Sequence, residues 1–363
     1  MVINSYFWKN KKVLVTGHTG FKGSWLCLWL QQLGAKVTGF GLEPSASPSL
    51  FNLARVSSEM DSVYGDIRNL IELKRIFFKT QPDIIIHMAA QALVRYSYHN
   101  PVETYQTNVM GTLHVLEGIR CSNSIKAAVM VTTDKCYENR EQLVPYREND
   151  PMGGHDPYSS SKGCAELLIS SYRNSYFTSD KQAAIASARA GNVIGGGDWS
   201  SDRLIPDLVK AAKENKVLKI RNPAALRPWQ HVLEPLSGYL ILAEKLYSQG
   251  RKYSGPWNFG PNLKDTKSVI WIVEQIAKQW PDFCWEIDSQ KNLHESQILS
   301  LDSTKAQQKL GWNSNWSIEE ALQKTIEWHK AEQDGQEMKH ICLKQIKQYV
   351  WQDTALSRHY KVN

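Results

Sequence analysis

The chain has 363 residues, 42% hydrophobic and 22% charged, which are the proportions of a globular protein able to bury one large core or two smaller ones. No run of about 18 apolar residues occurs, which excludes a helical membrane span. The net charge of +7 comes without a long basic run, zinc-finger spacing or RNA-binding signature, so neither a nucleic-acid nor a membrane partner is expected.

The six cysteines are scattered without CxxC pairing, as free thiols in a reducing compartment would be. No apolar leader precedes the first strand, so a cytoplasmic protein is expected. In chain order, "KVLVTG" (12–17), "KVTGF" (36–40), "DIIIHMA" (83–89), "AAVMVT" (127–132) and "AAIASAR" (183–189) read as strands, with a further one closing just before Asp66. Helical spacing fills the gaps. It covers 22–34, with Gly34 as C-cap, and 100–120, with Pro101 near its start. Strands alternating with helices predict an α/β fold, a Rossmann-like doubly wound parallel sheet covered on both faces.

After residue 190 the texture changes to a Gly- and Asp-rich loop (191–206), a basic helix, "RNPAALRPWQHV", a helix over 234–248, and mixed elements from 265 onward. The predicted division is a dinucleotide-binding domain over 1–190 plus about 232–262, and an interleaved smaller substrate lobe over 191–231 and 263–363.

"VLVTGHTGFKGSWL" puts Gly17, Gly20 and Gly23 in the turn from the first strand to the first helix. A pyrophosphate there needs exposed backbone N–H groups, the positive end of a helix and no Cβ in the way. The spacing is GxxGxxG, and a glycine triplet alone also serves a plain tight turn. Its place in the first βα turn of a parallel pattern points to a dinucleotide. Beyond the second strand the only charged residue in "GFGLEPSAS" is Glu43, which leans towards NAD over NADP. Asp66 reads equally as an adenine contact or as an N-cap for a helix from 69.

"DPYSSSKGCAELL" sets Tyr158 and Lys162 four residues apart on one helical face, where an ammonium can lower a phenol towards the range of a general base. "TTDKCY" adds a hydroxyl, a carboxylate and an ammonium, Thr133, Asp134 and Lys135, at the end of a buried strand. His231 lacks ligand-spaced partners, so a packing or hydrogen-bonding role is expected for it, and no metal.

With TGxxGxxG at 16–23, "HMAAQ" at 87–91, "TNVMGT" at 107–112, Tyr158-x-x-x-Lys162, "RAGNVIGGGD" at 189–198, "RPWQHV" at 227–232 and "DSTKAQQKLGW" at 302–312, the chain resembles the extended short-chain dehydrogenases/reductases over nearly its whole length. Within them it most resembles the nucleotide-sugar 4,6-dehydratases, in particular the branch acting on CDP-glucose. That resemblance implies a bound NAD wrapped at its pyrophosphate by Gly17, His18, Thr19, Gly20, Phe21, Lys22 and Gly23. Asp66 and Ile67 would flank the adenine, Ala89, Ala90 and Gln91 would line the middle of the cofactor, and Asn108 would support the active-site hydrogen bonds. Tyr158 is then the base at the C4 hydroxyl, with Lys162 and Thr133 assisting. Where the wider dehydratase pattern has Asp–Glu, this chain has Asp134–Lys135. Asp134 is expected as the acid for loss of the C6 hydroxyl, and Lys135 as the C5 base or as an electrostatic stabiliser of the enolate. Asn192, Arg203, Arg227 and Asn258 are the expected nucleotide-sugar contacts. The resemblance further implies a homodimer or higher homo-oligomer, with the Tyr158 helix and the 100–120 helix as the pairing surface.

Overall fold

The computed structural model describes residues 3–142, 144–280, 283–288 and 299–359. Within the expected lobe segment 263–363, residues 281–282, 289–298 and 360–363 lie outside the described residues.

Seven parallel strands form the central sheet: β1 (Lys12–Thr16), β2 (Lys36–Gly41), β3 (Asp61–Tyr64), β4 (Ile84–His87), β5 (Ala127–Val131), β6 (Ala184–Ala190) and β7 (Gly255–Phe259). Their order is β7-β6-β5-β4-β1-β2-β3. The chain therefore winds outward in one direction from β1 and in the other from β4, and the crevice beyond the carboxyl ends of these two strands is where such sheets take ligands. The strand period of two splits the apolar runs between two cores. Val13 and Val15 pack with Trp25 and Trp29 of α1 (Phe21–Gln32), whereas Leu14, Ile85 and Met130 face Leu73 of α2 (Leu70–Thr80) on the other side. Burial on both faces explains why the strands read as continuous apolar runs.

The helix expected over 100–120 is interrupted. It runs as α3 through Pro101–Tyr105, widens to a π-turn at Gln106–Met110 and resumes over Gly111–Arg120. Next come α4 (Pro157–Tyr176) and α5 (Leu233–Gln249).

The lobe has its own core. Ile205, Leu208, Ile220, Trp229, Ile272 and Ile276 pack there with Leu322 and Ile326 of α6 (Ile318–Gln333). Three two-stranded pairings edge it, Val193–Ile194 with Gln230–His231, Leu226–Pro228 with Thr266–Ser268, and Leu218–Ile220 with Trp285–Ile287. The boundary drawn from sequence needs correction here. Ala306, Leu310 and Trp312, and Met338, Cys342, Ile346 and Tyr349 of α7 (Met338–His359), were assigned to the lobe and are buried against α1 and α5 in the sheet's own core.

Candidate active site

The glycine turn is shaped by close approach. Gly17 has φ +74°, and a Cβ there would lie 2.7 Å from the Ala89 backbone; a Cβ on Gly23 would lie 2.1 Å from the Gly17 carbonyl oxygen. Gly20 is the N-cap of α1 and offers no side chain to its first amides. The result is a bare cradle of N–H groups at the positive end of a 12-residue helix, and it fits a dinucleotide pyrophosphate. Thr19 ties the turn to the end of β2 by donating to the Leu42 carbonyl at 2.8 Å.

Two side chains of this turn do not point at the cradle as the sequence led us to expect. His18 is fully buried, with Nε2 2.7 Å from Ser62 Oγ and its ring edge-on to Phe51. Burial pushes it down to about 4, so it is a neutral core residue that can lend only its backbone to a phosphate. Lys22 turns towards Lys162 and Asp134, its Nζ donating to the Tyr239 hydroxyl at 3.1 Å from over the ring. Burial, joined by the charges of Arg203 and Lys162, pushes this amine down to about 7.

Asp66 receives the backbone N–H and the Nε–H of Arg68, both at 2.8 Å. Burial works upward on its carboxyl, but these bonds and the Arg68 charge hold it below its ordinary value. Asn69 caps α2 by accepting from Glu72, so the N-cap reading of Asp66 is replaced by an Asx turn. Ile67 is buried against Gly111, where a Cβ would come within 2.4 Å of its Cδ1. Its carbonyl lies 3.0 Å from His114 Nδ1.

Behind Ala89, Ala90 and Gln91 lies a polar lattice. Asn108, 1% exposed, sits in the π-turn of α3. Its Oδ1 accepts from Gln91 N and its Nδ2 donates to the Gln91 carbonyl and to Ser161 of α4, each at 2.9 Å. The hydrogen bonds of Asn108 and the helix irregularity are thus one feature, as with π-turns at functional sites. Thr16 accepts from Met88 N and Ala89 N, which leaves its hydroxyl hydrogen for His87 Nδ1 at 2.7 Å. His87 Nε2 then donates to Thr112, and Thr112 to the Asn108 carbonyl.

The residues expected to react converge where β5 ends. Asp156 caps α4 through Ser159 N and Pro157 opens the helix, so Tyr158 stands in the first turn and Lys162 one turn below it. Tyr158 is 8% exposed, Lys162 6%, Thr133 7% and Asp134 1%. Burial pushes the Tyr158 phenol up to about 12, against a Thr133 hydrogen bond and the charge of Arg203. The expected lowering of the phenol by Lys162 does not set its direction here; burial does, and burial also pushes Lys162 down to about 8. Asp134 is raised by burial, opposed by Lys135, Thr133 and Arg227. Its Oδ1 accepts from Thr133 at 3.0 Å, while Oδ2 has no hydrogen-bond partner and faces Gly191, where a Cβ would approach to 2.8 Å. A buried carboxyl with one open oxygen is suited to hold and deliver a proton. Lys135 is half-buried, its backbone N donating to Thr133 Oγ1 at 3.4 Å.

Of the residues expected at the substrate, Arg203 and Arg227 bear electrostatically on Tyr158 and on Asp134 respectively. Arg203 is steadied by Asp198 at 3.0 Å. Asn192 follows Gly191, its carbonyl accepting from Gln230 N. Asn258 is not brought to the site. It is fully buried in β7; its Oδ1 accepts from Tyr137 at 2.7 Å and its Nδ2 donates to the carbonyls of Tyr146 and Asp302. With both ends of its amide committed, it is a structural residue. His231, as expected, packs edge-on to Trp316 and accepts from Leu233 N.

Sequence reading missed the buried pair Glu166–Arg189 beneath the site, 2.7 Å apart. Both left a signal: Glu166 lies four residues after Lys162 on the same helix face, and Arg189 closes an otherwise apolar strand, where a charge needs a partner.

Residues 14–325 match the GDP-mannose 4,6-dehydratase family. The CDP-glucose 4,6-dehydratase of Salmonella typhimurium is 50% identical over 96% of this chain and 99% of its own length. A UDP-glucose 4-epimerase of Halalkalibacterium halodurans is 27% identical over 89% of this chain and 97% of its own. Among solved structures, dTDP-glucose 4,6-dehydratase from Bacillus anthracis in complex with NAD superposes with a TM-score of 0.74 at 24% identity, covering 90% of this chain and 98% of that one.

Proposed function

The chain belongs to the GDP-mannose 4,6-dehydratase family, and we propose that it converts CDP-glucose to CDP-4-dehydro-6-deoxyglucose and water. The observation that carries this reading is Asp134, a buried carboxyl raised by its surroundings, bonded to Thr133 through one oxygen and left open at the other. A plain dehydrogenase or a 4-epimerase has no use for such an acid. NAD held by the Gly17–Gly23 cradle supplies a hydride acceptor for C4 and a donor for C6, so it is not consumed.

The chain's own residues handle the protons. Tyr158 accepts the proton of the C4 hydroxyl, which Thr133 orients, and Lys162 supports the phenolate electrostatically. The C4 ketone acidifies C5–H; Lys135 takes that proton, its ammonium then stabilises the enolate, and the proton returns to C5 once water has left and C6 is reduced. Asp134 protonates the C6 hydroxyl as it leaves as water. Arg203 and Arg227 bind the diphosphate as forks, and Asn192 completes the contact. The exposed Val102 and Met110 of α3 and Leu167 of α4 support a homodimer through these helices. Among the described residues no helix is long and apolar enough to cross a membrane, and a cytoplasmic setting accords with that.

The test is incubation with NAD and, separately, the glucose conjugates of CDP, dTDP, UDP and GDP, reading alkaline absorbance of the 4-keto-6-deoxy sugar. Product from the cytidine conjugate alone is expected. Turnover of another conjugate with none from CDP-glucose overturns the base assignment, and no product from any overturns the reaction.

A further inference from the structure

The amino ends of the sheet strands, opposite the crevice, carry a band of lysines. Lys12 opens β1 and is paired in register with Lys36, which opens β2. Lys126 immediately precedes β5, and its backbone N donates to the carbonyl of Asp83, which itself accepts from Lys12 N. Lys11 and Lys126 converge on one ring, their Nζ atoms 4.9 and 5.0 Å from the centroid of Tyr247 in α5. Lys9 lies against Gly34, next to Lys36, and Lys252 extends the band beyond α5, its Nζ over Tyr253. None of these six lysines takes part in any of the fourteen ion pairs among the described residues.

Two acids bordering the band are turned to other partners. Asp83 is turned to the backbone of Lys12. Glu244 accepts from Trp8 Nε1 at 2.7 Å and from Asn4 N, and its burial pushes it up to about 7. On the rim, the short helix Ser5–Trp8 holds Tyr6 with 90% of its surface exposed.

We infer that this end of the sheet docks on an anionic lipid surface. The chemistry favours that occupant over a nucleic acid. The six cations are point-charge ammonium groups, Tyr6 stands exposed at the edge where an interfacial anchor belongs, and the rings within the band are covered by lysine and not open for base stacking. Docking here leaves the carboxyl ends of the strands, with Tyr158 and Asp134, facing away from the membrane and open to soluble substrate.

The experiment is co-sedimentation of the full chain with vesicles of phosphatidylcholine alone or with about one third phosphatidylglycerol, at low and high salt, with single-stranded RNA as a separate ligand. Binding to the anionic vesicles only, lost in high salt, is expected. Each lysine near such a surface contributes about fivefold in affinity, so the variant Lys9→Glu/Lys12→Glu/Lys36→Glu/Lys126→Glu should bind at least several hundred-fold more weakly. Its turnover in solution and its circular dichroism should match the parent. A milder Lys→Gln set should fall between the two, which keeps the test valid if the reversed variant folds poorly. Absence of binding to anionic vesicles, equal binding to neutral ones, binding to RNA alone, or unchanged binding by a folded variant set overturns the inference.

Discussion

Helix α4 serves two buried charged groups one turn apart, and they are built on opposite plans. Around Glu166 both carboxylate oxygens are engaged: Oε1 accepts from Thr132 at 2.5 Å, and Oε2 from Ser187 at 2.8 Å and Arg189 at 2.7 Å. Burial pushes Glu166 up, yet the Arg189 charge and these bonds hold it below its ordinary value. Around Tyr158, Lys162, Lys22 and Asp134 partners are too few for the charges, and burial wins at each. The two amines are pushed down to about 8 and about 7, and Tyr158 and Asp134 are raised. A buried ionisable group is a girder when its hydrogen-bonding capacity is filled by the protein, and a reagent when part of it is left open.

The largest effect should come from breaking the underfilled group. Tyr158→Phe removes the proton acceptor and should lower kcat by about 10²–10⁴. Its thermal midpoint should stay within a few degrees of the parent, since its hydroxyl gives up no more than the Thr133 contact. Asp134→Asn should lose dehydration by a similar factor while still releasing the C4 proton, read as reduced cofactor accumulating on the enzyme. If Asp134→Asn retains near-parent turnover, the acid for C6 lies elsewhere.

The second break reverses the pattern. Glu166→Ala strands Arg189 at 4% side-chain exposure and should cost about 3–5 kcal/mol in urea unfolding. Since the folded-state value of Glu166 is depressed, its contribution is present above the unfolded carboxylate range, near pH 4, and fades as pH falls below that. The gap between parent and variant should therefore narrow on acidification. A gap that widens there contradicts the assignment of the pair as a filled, structural one.

Asn258 tests the comparison at its border. With its amide filled, Asn258→Ala should cost about 1–3 kcal/mol of stability and leave KM for the nucleotide sugar within about twofold. A large rise in KM with stability intact would return it to the substrate site.

These contrasts also show what a sequence can and cannot carry. The strands, the glycine turn and the Tyr158–Lys162 spacing were legible because each is set by a local period or by one steric demand, as at Gly17. The failures are of one kind. His18 and Lys22 flank Gly20 in the same turn, and nothing local says that one ring turns into the core against Ser62 while the other side chain reaches Tyr239, 217 residues away. Asn258 sits in a motif-like "NFG", yet its partners come from three distant loops. The third core around Trp229 and the return of α7 to the sheet likewise depend on packing between separate segments. Composition and spacing name the reagents; only the assembled neighbourhood says whether a polar group is filled or open.

The smallest effect concerns Lys22, an open-plan charge inside an otherwise structural turn. Its folded value is depressed to about 7 from an unfolded value near 10, so burial of the charge weakens the fold fully below pH 7. Between pH 7 and about 10 the unfolded chain holds the extra proton, so stability attributable to Lys22 rises with pH. Lys22→Met keeps the packing over Tyr239 and removes the charge. It should be more stable than the parent at pH 7, with the difference shrinking towards pH 10, as followed by parallel urea titrations. A difference that is constant with pH means that Lys22 stays charged in the fold, held by a partner as Glu166 is, and that the turn belongs to the filled class after all.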